Sequence, residues 1–378
     1  MQLIERKLCA VLNNADLELL YIFPLFPVFM GCTNQPESSD LKQDMIWSIS
    51  LSSGLIQLKK LLPLDILYQE SHGAGAVGAM WKKHHEAFAK FLYQFKPSSI
   101  FEIGGSHGIL SKEYQQFKKI SWTILEPNPS PVDDCGAHFI KGFFDEAFNY
   151  PYRFDTVVHS HVFEHVYNPD AFMQHLSNFM DLGKKLIFSL PNLEVMLKRK
   201  YTNCINFEHT IFLTESYVEF LLAKHGFKLI AKEYFMDDHS IFYAAERHEV
   251  KISKELPQGL YDKNKKLYME YIAYHKILIS DLNHKLNQTN QPVYLFGAHV
   301  FAQYLIQMGL ETKAIINLLD NDKNKWGKRL YGTKLIVKPP KILHDVKNPI
   351  VILKAGVYNN EIKKDIIENI NSSVVFFE

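Results

Sequence analysis

The sequence predicts an α/β protein built on a largely parallel sheet. Three observations predict it. Short apolar runs ending in turn residues recur through the middle third, segments with helical spacing separate them, and the same alternation starts again after residue 290. Strands joined by helices lie parallel, with helices covering both faces of the sheet.

Each element follows from its local pattern. Residues 1–80 lack a clear period. They hold an apolar run, 19–32, broken by Pro24 and Pro27, then Ser-rich turns and an alternating stretch, 47–58. This predicts a small, irregular, partly β domain whose apolar run is buried. Residues 81–250 form the second domain. The segment 81–95 has Phe88, Phe91, Leu92 and Phe95 at helical spacing. Strands are predicted at 99–103, 122–125, 154–158 and 185–189, with a helix at 170–180 between the last two. A helix over 217–225, stopped by Gly226, leads to 228–234 and 240–245, expected as two closing antiparallel strands. Residues 251–378 make the third domain. A charged helix over 260–286 and a polar link precede strands at 292–296, 314–319 and 350–353, with a helix over 300–308.

The bulk composition excludes several classes of function. With 42 Lys and Arg against 41 Asp and Glu, the net charge of +1 provides no field toward nucleic acid or anionic lipid. The four cysteines, Cys9, Cys32, Cys135 and Cys204, show no CxxC spacing and no disulfide framework, as in a reducing compartment. Acidic Asp16 and Glu18 and the two prolines make the 19–32 run unlike a signal peptide, and it is too short to span a bilayer. The expectation is a cytoplasmic protein that acts on a small molecule, without nucleic-acid or membrane partners.

The stretch Glu102-Ile103-Gly104-Gly105-Ser106-His107-Gly108 follows a strand and opens a helix. Glycines there allow a tight turn and close approach of a ligand. Pyrophosphate of a dinucleotide calls for GxGxxG, whereas the spacing here is GxxxG. A carboxylate at Glu102 repels phosphate but suits an ammonium group or ordered water. Glu126 ends the next strand about 20 residues on, where an acid accepts hydrogen bonds from ribose hydroxyls. Each residue alone is more often a turn former or a surface charge; the pair, placed at two strand ends, points to a nucleoside without a phosphate bridge. S-adenosylmethionine is such a ligand. Asp145 is a further candidate beside its adenine.

The run 154–166, with His159, His161, Glu164 and His165, resembles the fourth-strand motif of class I methyltransferases. Nearly the whole chain resembles the three-domain sugar C-methyltransferases. That family has an N-terminal zinc-binding domain, a central methyltransferase domain and a Rossmann-like C-terminal domain, and it acts on nucleotide-linked keto sugars. Residues 102–108 match the family's E-x-G-x-N-D-G form, with Ser106-His107 in place of Asn-Asp. Phe207-Glu208-His209-Thr210 match its aromatic-Glu-His segment. Residues 68–72, Trp81 and His84-His85 match the entry to its catalytic domain. Gly297-Ala298, Leu319-Asp320-Asn321-Asp322, Lys325, Gly327 and Tyr331-Gly332-Thr333 match its C-terminal domain.

The resemblance implies a cofactor set of Glu102, Gly104, Gly105, Ser106, Gly108, Glu126, Pro127, Asp145 and His161. It implies His209 as the base that removes a proton beside a ketone, Glu208 as its orienting partner, and His165 and Tyr68 as donors to the enolate oxygen. The zinc site departs from the family. Cys9 stands alone, with Leu12 where a second ligand belongs and Ser50 and Ser53 in the other pair. Serine is a poor zinc ligand, so no metal is expected. Three other readings carry their own signals. O- or N-methylation follows if the nucleophile is not carbon. A nicotinamide-dependent oxidoreductase would use Gly297 and Asp320 in the C-terminal domain, although 297–302 lacks the middle glycine. A non-catalytic binding protein would account for the lost cysteines.

Overall fold

The computed structural model describes residues 3–68, 78–249 and 253–378. Two compact units emerge, both discontinuous in sequence. The first combines Met1–Glu18, Ile49–Leu193 and Thr210–Tyr261; the second combines Leu19–Ser48, Glu194–His209 and Asp262–Glu378. Residues expected to form one small N-terminal domain are thus shared between the two units. No linker composition marks these crossings, so the sequence pattern could not show them.

The first unit is centred on a seven-stranded sheet. Its strands are β1 (Ser99–Ile103), β2 (Ser121–Glu126), β3 (His138–Lys141), β4 (Thr156–Ser160), β5 (Lys185–Pro191), β6 (Phe227–Phe235) and β7 (Ser240–Arg247). Their spatial order is β6-β7-β5-β4-β1-β2-β3. The first five run parallel. β7 lies antiparallel between β5 and β6, as the two closing strands were expected to run. β3 was not foreseen: four residues at the sheet edge, flanked by His138 and Lys141, offer only Phe139 and Ile140 as apolar signal.

Alternation along the strands sends side chains to two cores. Ile100, Ile124, Val158 and Ile187 meet Phe88, Phe91 and Leu92 of α1 (Ala79–Tyr93) on one face. Phe101, Leu125, Val157 and Phe188 meet Phe172, Met173 and Leu176 of α3 (Pro169–Phe179) on the other, with Tyr217 and Leu221 of α4 (Glu215–Lys224). Between them in sequence, the short α2 (Ile109–Tyr114) follows the glycine loop. The sheet order reverses between β1 and β4, which leaves a crevice at their carboxyl ends.

The second unit contains a five-stranded parallel sheet: β8 (Val293–Phe296), β9 (Ile315–Leu319), β10 (Val337–Lys338), β11 (Ile350–Leu353) and β12 (Val375–Phe377), in the order β10-β9-β8-β11-β12. Helices α5 (Leu260–Gln288), α6 (Val300–Gln307) and α7 (Asn359–Asn369) accompany it. The strand Leu17–Pro27 corrects the expectation of a buried apolar run: Leu20, Phe23 and Phe26 are buried, but Leu19, Ile22 and Leu25 are 56%, 40% and 63% exposed. It forms the edge of its sheet, the position where prolines are tolerated. Asp40 in this unit holds Arg329 through two bonds of 2.7 and 2.6 Å, and its Oδ2 also accepts from the Gly332 N–H at 2.8 Å. Among the described residues, no helix is long and apolar enough to cross a membrane.

Candidate cofactor and active site

The loop after β1 turns at Gly104 (φ +72°) and Gly108 (φ +70°), both in the left-handed region that favours glycine. The loop is packed from below as well. A Cβ on Gly104 would meet Val162 at 2.7 Å, and one on Gly105 would meet Ile124 at 2.7 Å and the Glu102 carboxyl carbon at 2.8 Å. The backbone at Gly104 and Gly105 is thus packed closely against β2, Glu102 and Val162, with no room for a side chain.

Glu126, at the end of β2, crosses to this loop. Its Oε2 accepts the Ser106 N–H at 2.9 Å and its Oε1 accepts the Asn128 N–H at 3.1 Å. The carboxylate thus joins the end of β2 to the glycine loop. Pro127 and Asn128 continue the loop, and the Asn128 side-chain amide donates to the Tyr68 carbonyl, which brings Tyr68 beside it. The other residues of the 68–72 match lie outside the described residues. Asp145 follows β3 in an exposed turn, accepting from the Ala147 N–H at 3.0 Å. The same loop is tied to β2 by the Gly142 N–H on the Glu126 carbonyl.

Glu102 takes a different place from a residue facing a ligand. It is buried under the loop, and its Oε2 accepts the Trp122 indole N–H at 2.7 Å. Burial raises its carboxyl to about 8, against the opposing pull of the Trp122 bond. Trp122 was invisible as a partner because its role depends on the register of β2 against β1.

On the other wall, His161 follows β4 at φ +52°, an uncommon conformation for a non-glycine residue. Its backbone N–H bonds the Ser189 carbonyl at 3.0 Å, Nε2 lies 2.9 Å from Ser240 Oγ, and Nδ1 lies 3.3 Å from Glu164 Oε1. His165 closes the next turn, with Nε2 at 3.7 Å from the same carboxylate oxygen. Glu164 is wholly buried between them in sequence. Glu208 and His209 lie in the second unit, where their backbone N–H groups both donate to Asn206 Oδ1 at 2.9 and 2.8 Å.

Where the family's zinc would sit, Cys9 Sγ lies 3.2 Å from Ser53 Oγ, Ser50 Oγ donates to Asp16 Oδ2 at 3.1 Å, and Leu12 packs against the core. A thiol–hydroxyl contact, a hydroxyl bonded to a carboxylate and an apolar side chain stand at these positions. In the second unit, Asp320 is also engaged: its Oδ2 accepts from the Ala298 N–H at 2.9 Å and Lys325 Nζ at 3.0 Å, and its Oδ1 accepts from the Asp322 N–H at 2.9 Å. That carboxylate braces its own turn.

Residues 77–232 match the sequence model of a family described as a methyltransferase domain. No curated protein matches the chain. Among solved structures, it is similar to magnesium protoporphyrin IX methyltransferase from Synechocystis with bound S-adenosylhomocysteine, at 15% identity over 44% of this chain and 84% of that one (TM-score 0.36). It is similar to the N-methyltransferase NodS from Bradyrhizobium japonicum, at 12% identity over 45% of this chain and 97% of that one (TM-score 0.33). An O-methyltransferase family protein from Burkholderia thailandensis shares 10% identity over 44% of this chain and 56% of that one (TM-score 0.36). The matched segment holds the glycine loop, Glu126 and the point where the strand order reverses, so the chain carries an S-adenosylmethionine-dependent methyltransferase domain within residues 77–232.

Proposed function

We propose that the protein transfers the methyl group of S-adenosylmethionine to a carbon beside the ketone of a nucleotide-linked sugar. The observation that supports the cofactor arrangement best is the Glu126 carboxylate spanning to the Ser106 N–H across the glycine loop. The ribose hydroxyls would bond to Glu126, the adenine would lie toward Asp145 and the loop after β3, and the methionine end would reach Gly104 and His161. The substrate class rests on the resemblance at residues 102–108, 207–210 and 297–333. The three-part division into residues 1–80, 81–250 and 251–378 belongs to the same reading.

Methyl transfer from a sulfonium is an in-line displacement, so most of the enzyme's work is positioning. In this reading His209 takes the proton from the substrate carbon. Glu208, nearly fully buried, orients it. His165 and Tyr68 donate to the enolate oxygen as charge develops. The enolate's electron pair would form the bond to the methyl carbon while the S–C pair returns to sulfur, so that the sulfonium leaves as the neutral thioether S-adenosylhomocysteine.

His209→Asn tests this reading. Methyl transfer should fall by about 10²–10⁴-fold, the usual contribution of a base, while cofactor affinity stays near that of the unaltered protein. Solvent deuterium should enter the substrate carbon without methyl donor, and the variant should lose that exchange. A defect of a few-fold, or methylation on oxygen or nitrogen without exchange, would overturn C-methylation.

A further inference from the structure

Three histidines distant in sequence converge in the first unit. His84 comes from α1, His161 from the turn after β4, and His239 from the one-turn helix Met236–His239 that precedes β7. One nitrogen from each ring lies within 4.8 Å of the other two. The ring centroids are 5.1 Å apart for His84 and His161, 5.4 Å for His84 and His239, and 6.2 Å for His161 and His239. Trp81 stands edge-on to all three, at 5.3, 5.0 and 5.2 Å.

Packing alone does not account for this group. His84 is fully buried, and neither of its ring nitrogens has a hydrogen-bond partner. A buried polar group left unpaired keeps its full desolvation penalty. The ring is also surrounded by apolar or aromatic neighbours, Phe88, Phe235 and Phe242 among them, at 6.1, 5.4 and 5.4 Å. A nitrogen placed there without a donor or acceptor calls for a ligand.

We propose that His84, His161 and His239 bind one divalent transition-metal ion of the Zn²⁺ type. Imidazole nitrogens suit such ions, and three protein ligands leave a position for water or an oxygen of the substrate. At metal–nitrogen distances of about 2.0–2.1 Å, tetrahedral ligand atoms lie roughly 3.4 Å apart, so modest ring rotations close the set. His161 has the outer partner such ligands use. Its Nδ1 lies 3.3 Å from the buried Glu164 carboxylate, which leaves Nε2 for the ion. Ser240 Oγ, 2.9 Å from His161 Nε2 and 2.7 Å from His239 Nδ1, marks where those two rings already share a partner. An ion takes over that place.

The protonation state agrees. Burial, reinforced for His84 and His239 by their histidine neighbours, pushes His161 and His239 down to about 3 and His84 well below the ordinary histidine range. All three are neutral at pH 7, so an ion need not displace protons. The site shares no residue with the Cys9, Leu12, Ser50 and Ser53 group, and it does not depend on which substrate is methylated. It revises the sequence expectation of no metal, because positions 84, 161 and 239 have no ligand spacing to read.

Titration of the chelator-treated full chain with Co²⁺, followed by visible absorption and then Zn²⁺ competition, tests the proposal. The expected result is one ion per chain, d–d bands of a nitrogen-rich site and no thiolate charge-transfer band. His84→Phe and His239→Gln should each lower affinity at least about tenfold, since loss of even an outer partner typically costs that much. Circular dichroism checks that each variant is folded, and His239→Gln decides the matter should His84→Phe unfold. Cys9→Ser should bind as the unaltered protein does. Absence of stoichiometric binding, binding that survives the histidine changes, or loss in Cys9→Ser would overturn the site.

Discussion

Glu102 is a carboxyl sealed beneath the glycine loop, and its position links cofactor geometry to stability. With its folded value raised from 4.5 to about 8, the native state keeps a proton that the unfolded chain releases. Stability is therefore full below about pH 4.5, declines as pH rises toward 8, and stays reduced above it. The size of the decline is on the order of 5 kcal/mol at most. Glu102→Gln keeps an acceptor for Trp122 and carries no charge, so denaturant unfolding should show a flatter pH dependence between 5 and 8 and greater stability at pH 8. Equal slopes for both proteins would place water at the carboxyl. The sequence showed Glu102 and Glu126 as a pair at two strand ends, and the structure places both at those ends. It could not show that one is buried on Trp122 and the other spans to Ser106, because strand register decides which side chains meet.

At the scale of elements, the loop after β1 depends on having no side chain at residue 105. A Cβ there would press on Ile124 and on the Glu102 carboxyl at 2.7 and 2.8 Å. Gly105→Ala should cost about 1–3 kcal/mol of stability through overpacking. Calorimetry should also show weaker S-adenosylhomocysteine binding as the loop lifts into the crevice; unchanged melting and binding would mean that the sheet yields without cost. The longer elements were legible because their periods are strong: α1 buries Phe88, Phe91 and Leu92 as the spacing required. β3 and β10 were not. Edge strands of four and two residues hold too few apolar positions for a period to emerge.

At the scale of the whole molecule, the two units are stitched from alternating segments of the chain, a division that neither composition nor linkers reveal. Within the second unit, residues 19–48 are tied to the C-terminal segment by the Asp40–Arg329 pair, in which the Asp40 side chain is fully buried. Asp40→Ala would leave the guanidinium without its carboxylate. A loss of about 3–5 kcal/mol is expected, read as a lower denaturation midpoint. A change under about 1 kcal/mol would mean that water replaces the pair, as at exposed ion pairs. Histidine convergence also belongs to this scale. His84, His161 and His239 meet only because α1, β4 and β7 pack in one unit, whereas 17 histidines spread along the chain give no such signal.

The most direct test is calorimetric titration of S-adenosylhomocysteine and of NAD into the full chain and into Glu126→Ala. Glu126 accepts the Ser106 and Asn128 N–H groups, and the proposed cofactor arrangement gives it the ribose diol. The account predicts one S-adenosylhomocysteine per chain, no NAD binding, and an affinity loss of about 1–3 kcal/mol in the variant, or roughly 5- to 150-fold. Unaltered affinity in Glu126→Ala, or NAD binding in place of S-adenosylhomocysteine, would contradict it.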